Sequence, residues 1–325
     1  MSKYLVTGAV GFIASKVSEY LLKNGHTVFG VDNFDPTYDL RLKDWRLEQL
    51  KPYSSFSFFR EDICDLKKMK SIIAQCQPLD AVINLAAKAG VRDSVLDPWS
   101  YFNTNVNGTL NLLEICRHQG IPKFILASTS SIYGNNAPYP TPEDADSSHP
   151  LQPYAASKKA AEALCYSYHF LHNLDITIVR YFTVYGPAGR PTMSMFRFTQ
   201  WIIEGKTVKV FGDGTQTRGF TYVDDIARGT IQALKPLGYE IINLGGHQSI
   251  QINELIEHIE TIVGKKAKIE HFSAHPADMT TSWANVEKAR KLVNWQPEVP
   301  LEAGIPRMID WYMQERNWAS QVDTE

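Results

Sequence analysis

Only four cysteines occur in 325 residues, at positions 64, 76, 116 and 165, and no two form a C-x-x-C pair. That spacing excludes a zinc ribbon and a vicinal redox couple, and it fits free thiols in a reducing compartment. The nine histidines show no ligand spacing, so no metal site is expected; His149, His169 and His172 read as surface or satisfied core residues. Neither sign of charge dominates. A net charge of −2 gives no electrostatic footprint for a nucleic-acid partner. No apolar run approaches the length of a membrane span, and no basic-then-apolar leader precedes the first strand. The expectation is a soluble, cytoplasmic protein without a membrane or nucleic-acid partner.

What is present is a regular alternation. Strands are predicted over 3–7, 26–32, 55–62, 79–87, 123–129 and 175–182, and helices over 11–24, 40–50, 65–76, 98–119 and 153–172. The segment LDAVINLAA is nearly all apolar, as a parallel strand covered on both faces must be. Such alternation predicts an α/β fold, a doubly wound, Rossmann-like parallel sheet with helices on both faces. After about residue 183 the strands shorten and glycine and proline punctuate GPAGRPTM and FGDGTQTRG, which predicts a smaller mixed α/β lobe. The expected division is 1–183 for the larger domain and 184–325 for the lobe, with about 222–247 possibly rejoining the large sheet through YEIINLGG.

The first strand runs into TGAVGFIA. Gly8 and Gly11 let the backbone approach a pyrophosphate at the positive end of the helix that begins there, with Phe12 and Ile13 in its first turn. Ala14 stands at the last motif position, which serves close helix–strand packing and admits alanine. A tight turn without ligand would read the same way, so Asp32 matters. It ends the second strand about twenty residues on, where a carboxylate accepts from the ribose hydroxyls of an adenosine and repels a 2′-phosphate. NAD is therefore expected over NADP, with Asn33 beside the ribose and Asp62-Ile63 flanking the adenine.

PYAASKKAAEAL places Tyr154 and Lys158 on one helix face. Alone, this is an ordinary surface pair. Its context, behind a dinucleotide turn and the hydroxyl cluster ASTSSIYG at the end of a parallel strand, makes it catalytic in this reading. TGAVGFI, NLAA at 84–87, Asn105 in NTNVNGT, STSSIYG, YAASK and RYFTVYGP, in this order and spacing, resemble the extended short-chain dehydrogenase/reductase family. Within it the chain is most similar to nucleotide-sugar 4-epimerases that act on UDP-glucuronate.

The resemblance implies NAD as cofactor, with Leu85, Ala86, Ala87, Asn105 and Tyr181 among its contacts. It implies Tyr154 as general base, Lys158 as the cation that lowers its pKa and holds the nicotinamide ribose, and Thr129 as partner of the reacting hydroxyl. A free phenol has a pKa of about 10, so a base active near pH 7 needs its phenolate stabilised by roughly 4 kcal/mol. Tyr154 would take the C4 hydroxyl proton while C4 passes a hydride to NAD. The 4-keto sugar would then turn over and regain the hydride on its other face. Ser130 and Ser131 occupy places where sugar dehydratases and the decarboxylase that makes UDP-xylose carry a carboxylate, which disfavours elimination.

Thr183 and Arg190 resemble the uronate branch, Arg92 matches a family arginine near the active site, and Arg218 and Asp278 correspond to contacts with the diphosphate and the uridine ribose. A surface ion pair for Arg92 is also open. The chain departs from the family pattern at Lys88 (Gln), Thr192 (Asp), Gly219 (Asp) and His275 (Arg). A neutral UDP-hexose 4-epimerase, another sugar-nucleotide reductase or decarboxylase, and a non-catalytic NAD-binding regulator remain as alternatives. The family also implies a homodimer through the helices at 98–119 and 153–172.

Overall fold

The computed structural model describes residues 1–246, 249–273 and 281–324. Seven parallel strands form the central sheet: β1 (Lys3–Thr7), β2 (Thr27–Val31), β3 (Phe56–Phe59), β4 (Ala81–Asn84), β5 (Lys123–Thr129), β6 (Asp175–Tyr181) and, much later in the chain, Tyr239–Leu244. Their spatial order puts Tyr239–Leu244 at one edge, then β6, β5, β4, β1, β2 and β3. The order reverses at β1, between β4 and β2, which opens a crevice at the carboxyl ends of the strands. The returning segment at 239–246 thus pairs with β6, as its apolar pattern suggests, with Ile242 opposite Val179.

Residue alternation divides the core between the two faces. Leu5, Val82, Phe124 and Leu126 pack with Met69, Leu112 and Ala161 on one side. Tyr4, Val6, Ile83 and Ile125 pack with Ala14, Val17 and Ile226 on the other. Helices α1 (Phe12–Lys23), α2 (Arg41–Leu50) and α3 (Leu66–Cys76) follow the first three strands. The helix expected over 98–119 is broken: α4 (Asp93–Leu96) and α5 (Pro98–Phe102) lead through a π-turn, Asn103–Asn107, into α6 (Gly108–Gln119). Asp97 caps α5 by accepting the Ser100 N–H, which fixes its start before the π-turn re-aims the chain. Helix α7 (Pro153–His172) is unbroken, opened by Pro153 in its first turn and closed by Asn173 in the left-handed conformation.

The remaining elements are short strands and helices around a separate core. β7 (Thr183–Tyr185) pairs with Phe220–Tyr222, and β8 (Thr207–Phe211) with Lys268–Phe272. Helix α8 (Ser194–Glu204) supplies Met195, Phe196, Phe198 and Trp201 to a cluster that Ile305, Met308 and Tyr312 complete. Leu42 of α2 joins this cluster and ties it to the cofactor side. Among the described residues no helix is long and apolar enough to cross a membrane, and no group of histidine, cysteine and acidic residues is placed to hold a metal ion.

Candidate active site

The Gly8–Gly11 turn exists because the chain leaves β1 against the loop that follows β4. Gly8 sits at φ +66, and a Cβ there would lie 2.8 Å from the Ala86 backbone. A side chain is excluded by both conformation and space. Gly11 caps α1 without any side-chain hydrogen bond, which leaves the helix N-terminus to a ligand. Ala14 is buried against the sheet, the packing role its position demands. Thr7 braces the turn: its hydroxyl donates to Asn84 at 2.7 Å and accepts the Ala86 N–H at 3.2 Å.

One cleft runs from this turn in two directions. Toward the ends of β2 and β3 it is lined by Phe12, Ile13, Asp32, Asn33, Asp62 and Ile63; toward the other end by Leu85, Ala86, Ala87, Tyr154, Lys158, Tyr181 and Arg190. β4 stops at Asn84, shorter than expected, so Leu85–Ala87 are loop residues free to form the wall. Asn33 donates to Asp62 at 2.9 Å, holding the two strand ends together. The Tyr181 ring faces the cleft while its hydroxyl meets Thr230 at 2.8 Å.

Asn105 differs from expectation. It is buried, its Oδ1 accepts the Lys88 N–H at 2.9 Å, and its Nδ2 donates to the Lys88 carbonyl and the Ser157 hydroxyl. All its amide hydrogens are engaged within the protein. Its reach to a cofactor is therefore indirect, through the Lys88 loop it holds. Lys88, where the family commonly has Gln, forms an ion pair of 2.8 Å with Asp35 on the loop after β2.

At the catalytic end, Lys158 Nζ donates to the Ala127 carbonyl at 2.8 Å. Burial lowers its pKa to about 8, against the opposing pull of Glu162 one turn along α7. Tyr154 stands edge-on to Tyr101. Burial pushes its phenol up, and a hydrogen bond with Thr129 and the charge of Arg190 only partly oppose that rise. The counter-charge acting on the phenol is that of Arg190, from the opposite wall, where Lys158 is the cation expected. Arg190 Nε is buried with no hydrogen-bond partner. Thr129 also meets the Ser131 hydroxyl at 3.2 Å, and Ser130 is buried beside it.

The other expected substrate residues come from other elements. Thr183 opens β7, next to the end of β6. The Arg92 guanidinium stacks 4.5 Å from the Phe211 ring of β8, bridging the loop after β4 to the smaller lobe. Arg218 donates to the Thr217 carbonyl at 2.8 Å. Asp278 and His275 lie outside the described residues. Gly219 donates its N–H to the Ser282 carbonyl at 2.6 Å.

Several supporting residues escaped the motif reading. Glu162 accepts Ser128 Oγ at 2.6 Å and receives Arg180 through two bonds, at 3.0 and 2.8 Å, all buried. Arg180 continues to Tyr133, whose hydroxyl donates to Asn243 on the returning strand. This network lies directly under Tyr154 and Lys158 on α7. On α2, Lys43 pairs with Asp32, and Arg46 donates to the carbonyls of Val10 and Ala188, clamping the glycine turn to the loop that carries Arg190. Their signal was available: Lys43 and Arg46 fall on the same face as Leu42, Leu47 and Leu50, where solvated cations do not belong.

A strand–glycine turn–helix, a strand-end carboxylate and a buried Tyr–Lys pair on one switch-point crevice define a dinucleotide-dependent α/β enzyme. The chain belongs to the NAD dependent epimerase/dehydratase family, whose model matches residues 4–245. It is 55% identical to the UDP-glucuronate 4-epimerase of Thermodesulfobacterium geofontis, over 96% of both chains. Among solved structures it resembles the UDP-glucuronic acid 4-epimerase of Bacillus cereus in complex with UDP-glucuronic acid and NAD, at 40% identity and TM-score 0.90, covering 96% of this chain and 99% of that one. The UDP-glucose 4-epimerase of Thermotoga maritima, with UDP-glucose, is also similar, at 31% identity and TM-score 0.90, covering 97% and 99%.

Proposed function

We propose that this protein interconverts UDP-glucuronate and UDP-galacturonate by epimerisation at C4. The observation that carries this reading is Arg190: a guanidinium whose buried Nε has no protein partner faces the phenol of Tyr154 across the cleft. A cation there suits a substrate that brings a carboxylate next to its reacting carbon. The absence of a carboxylate at Ser130 and Ser131 argues against dehydration.

The residues fit NAD: an uncapped helix N-terminus for the pyrophosphate, a free oxygen of Asp32 for the ribose diol, and a Lys158 ammonium with donors beyond its one bond to Ala127. When bound, NAD supplies the hydride acceptor and donor for C4. Tyr154 takes the proton from the C4 hydroxyl and later returns it, and Thr129 orients that hydroxyl. Thr183 and the Ser130 and Ser131 hydroxyls hold the carboxylate away from the perpendicular geometry in which a β-keto acid loses CO2, with Arg190 adding charge. Arg218 and Asp278 serve the nucleotide, and Arg92 serves the sugar end of the site. The division at 183/184 then separates a cofactor domain, rejoined by 222–247, from a nucleotide-sugar lobe.

A homodimer through α5–α6 and α7 suits the exposed Trp99, Phe102 and Phe170 on those elements. Four free cysteines suit a cytoplasmic setting. The test is incubation with a panel of UDP-sugars, with products followed by NMR. UDP-galacturonate should form from UDP-glucuronate without added NADH and with little CO2. A preference for UDP-glucose, or a mainly pentose product, would sink the uronate reading.

A further inference from the structure

Arg46 of α2 is only 2% exposed, and among the described residues no carboxylate pairs with it. The acceptors it reaches are all neutral oxygens. Its Nε and Nη2 both donate to the Ala188 carbonyl, at 3.1 and 2.6 Å. Nη1 donates to the Val10 carbonyl at 3.1 Å and to the Tyr38 hydroxyl at 2.7 Å. The guanidinium also stands 5.9 Å from the Phe12 ring centre and 5.5 Å from that of Tyr38. A buried charge is costly, and an apolar side chain of similar volume would fill this space at least as well. What an apolar side chain cannot do is hold two carbonyls on separate loops at a fixed distance from each other.

Those two loops carry the two halves of the site. Val10 lies inside the Gly8–Gly11 turn, and Ala188 lies two residues before Arg190. Ala188 takes φ +52, a left-handed conformation that an alanine keeps only where its surroundings hold it. The next residue, Gly189, donates its N–H back to the Gly186 carbonyl at 3.2 Å, so the segment is bent as well as pinned. Arg46 itself is not among the residues that line the cleft, whereas Arg190 is. We infer that Arg46 is a positioning residue for substrate selection: through the Ala188 carbonyl it fixes where the Arg190 guanidinium stands relative to Tyr154 and the glycine turn. A charge-assisted contact depends on distance and direction, so a loop released by a fraction of its length loses the restraint while the charge remains. The inference rests on Arg190 as the cation for the substrate carboxylate, as in the function above.

The test gives UDP-glucuronate to the full chain with its cofactor and reads the ratio of decarboxylated product to UDP-galacturonate, by NMR and CO2 release. Both products come from one bound 4-keto intermediate. Their ratio is therefore independent of how much protein is folded, and a merely structural role would lower both together. Arg46→Lys keeps the charge and loses the fork; Arg46→Gln keeps a donor and loses the charge. Neither strands a buried carboxylate, so either serves if the other fails to fold. Each should raise the decarboxylated share by about threefold to tenfold, the scale of a lost hydrogen bond, and no further than Arg190→Ala does. Within Arg190→Ala, adding Arg46→Lys should change the ratio no more, because the two residues act as one unit. A ratio that rises in Arg190→Ala but stays at the wild-type value in both Arg46 variants overturns the proposal and leaves the function standing. An equal rise with and without Arg190 does the same. A wild type that does not turn over UDP-glucuronate, or an Arg190→Ala ratio equal to wild type, overturns the carboxylate reading and the proposal with it.

Discussion

The two walls of the cleft are built differently. The wall on β5 and α7 is internally satisfied: Lys158 bonds Ala127, Ser128 and Arg180 bond Glu162, and Thr129 bonds Tyr154. The wall on the 183–190 loop ends in a guanidinium with an unmatched buried N–H. One wall is finished by the protein; the other keeps an open donor. A reacting centre needs fixed geometry before substrate arrives, whereas a recognition cation gains most when its bond forms only on binding.

The largest effect should come from breaking the finished wall at its reactive atom. Tyr154→Phe keeps the edge-on contact with Tyr101 and removes only the hydroxyl, so kcat should fall by about 10² to 10⁴. Retained NAD, read from the absorbance of the denatured protein, should be unchanged. Activity within a few-fold of wild type would remove Tyr154 from its catalytic role.

Next in size is the support beneath it. Glu162→Gln leaves Arg180 as a buried, uncompensated cation, and such a loss destabilises by about 3–5 kcal/mol. Chemical denaturation should report this as a lower midpoint at unchanged slope. Arg316→Ala, at the exposed pair with Glu204 on the smaller lobe, should barely move the midpoint. Equal losses in the two variants would show that the buried pair does not brace the finished wall.

The same contrast explains what the sequence made legible. The alternation of apolar runs, the Gly8–Gly11 turn, Asp32 and the Tyr154–Lys158 pair are local patterns, each set by a strand end or a helix face. They survive translation into structure because a parallel sheet brings its strand ends together. Asn105 illustrates the limit: its motif marks the position, but the π-turn at Asn103–Asn107 directs its amide to Lys88 and Ser157. The Glu162–Arg180–Tyr133–Asn243 chain joins residues up to 110 positions apart, which no periodicity reveals. Likewise, Arg92 finds Phe211 across the lobes, a contact with no local signal.

On the unfinished wall the expected effect is smaller. Arg190→Ala removes a charge-assisted contact of roughly 1.5–3 kcal/mol, so kcat/KM for UDP-glucuronate should drop by about tenfold to a hundredfold. Because the carboxylate loses its restraint, the share of decarboxylated 4-keto-pentose should rise, as it should for Thr183→Val. Gas release and NMR of the products read this directly. A lower rate with no change in product distribution would confine Arg190 to Tyr154 and take it off the carboxylate.

The gentlest test follows the titration of the cation in the finished wall. Burial brings Lys158 to about 8, below the ordinary lysine value, with Glu162 limiting the fall. Its ammonium is therefore present below about pH 8 and lost above it, which predicts an alkaline limb in kcat/KM of about tenfold per pH unit. The stability sign runs the other way. Between the folded value and the higher unfolded one, the unfolded chain binds more protons, so this group's contribution to stability rises with pH across that window and is flat below it. Lys158→Arg supplies a cation that does not titrate. Whatever activity it retains should lose the limb near pH 8, and its stability profile should lose the corresponding rise. A limb that persists unchanged in Lys158→Arg would assign that ionisation to another group of the cleft.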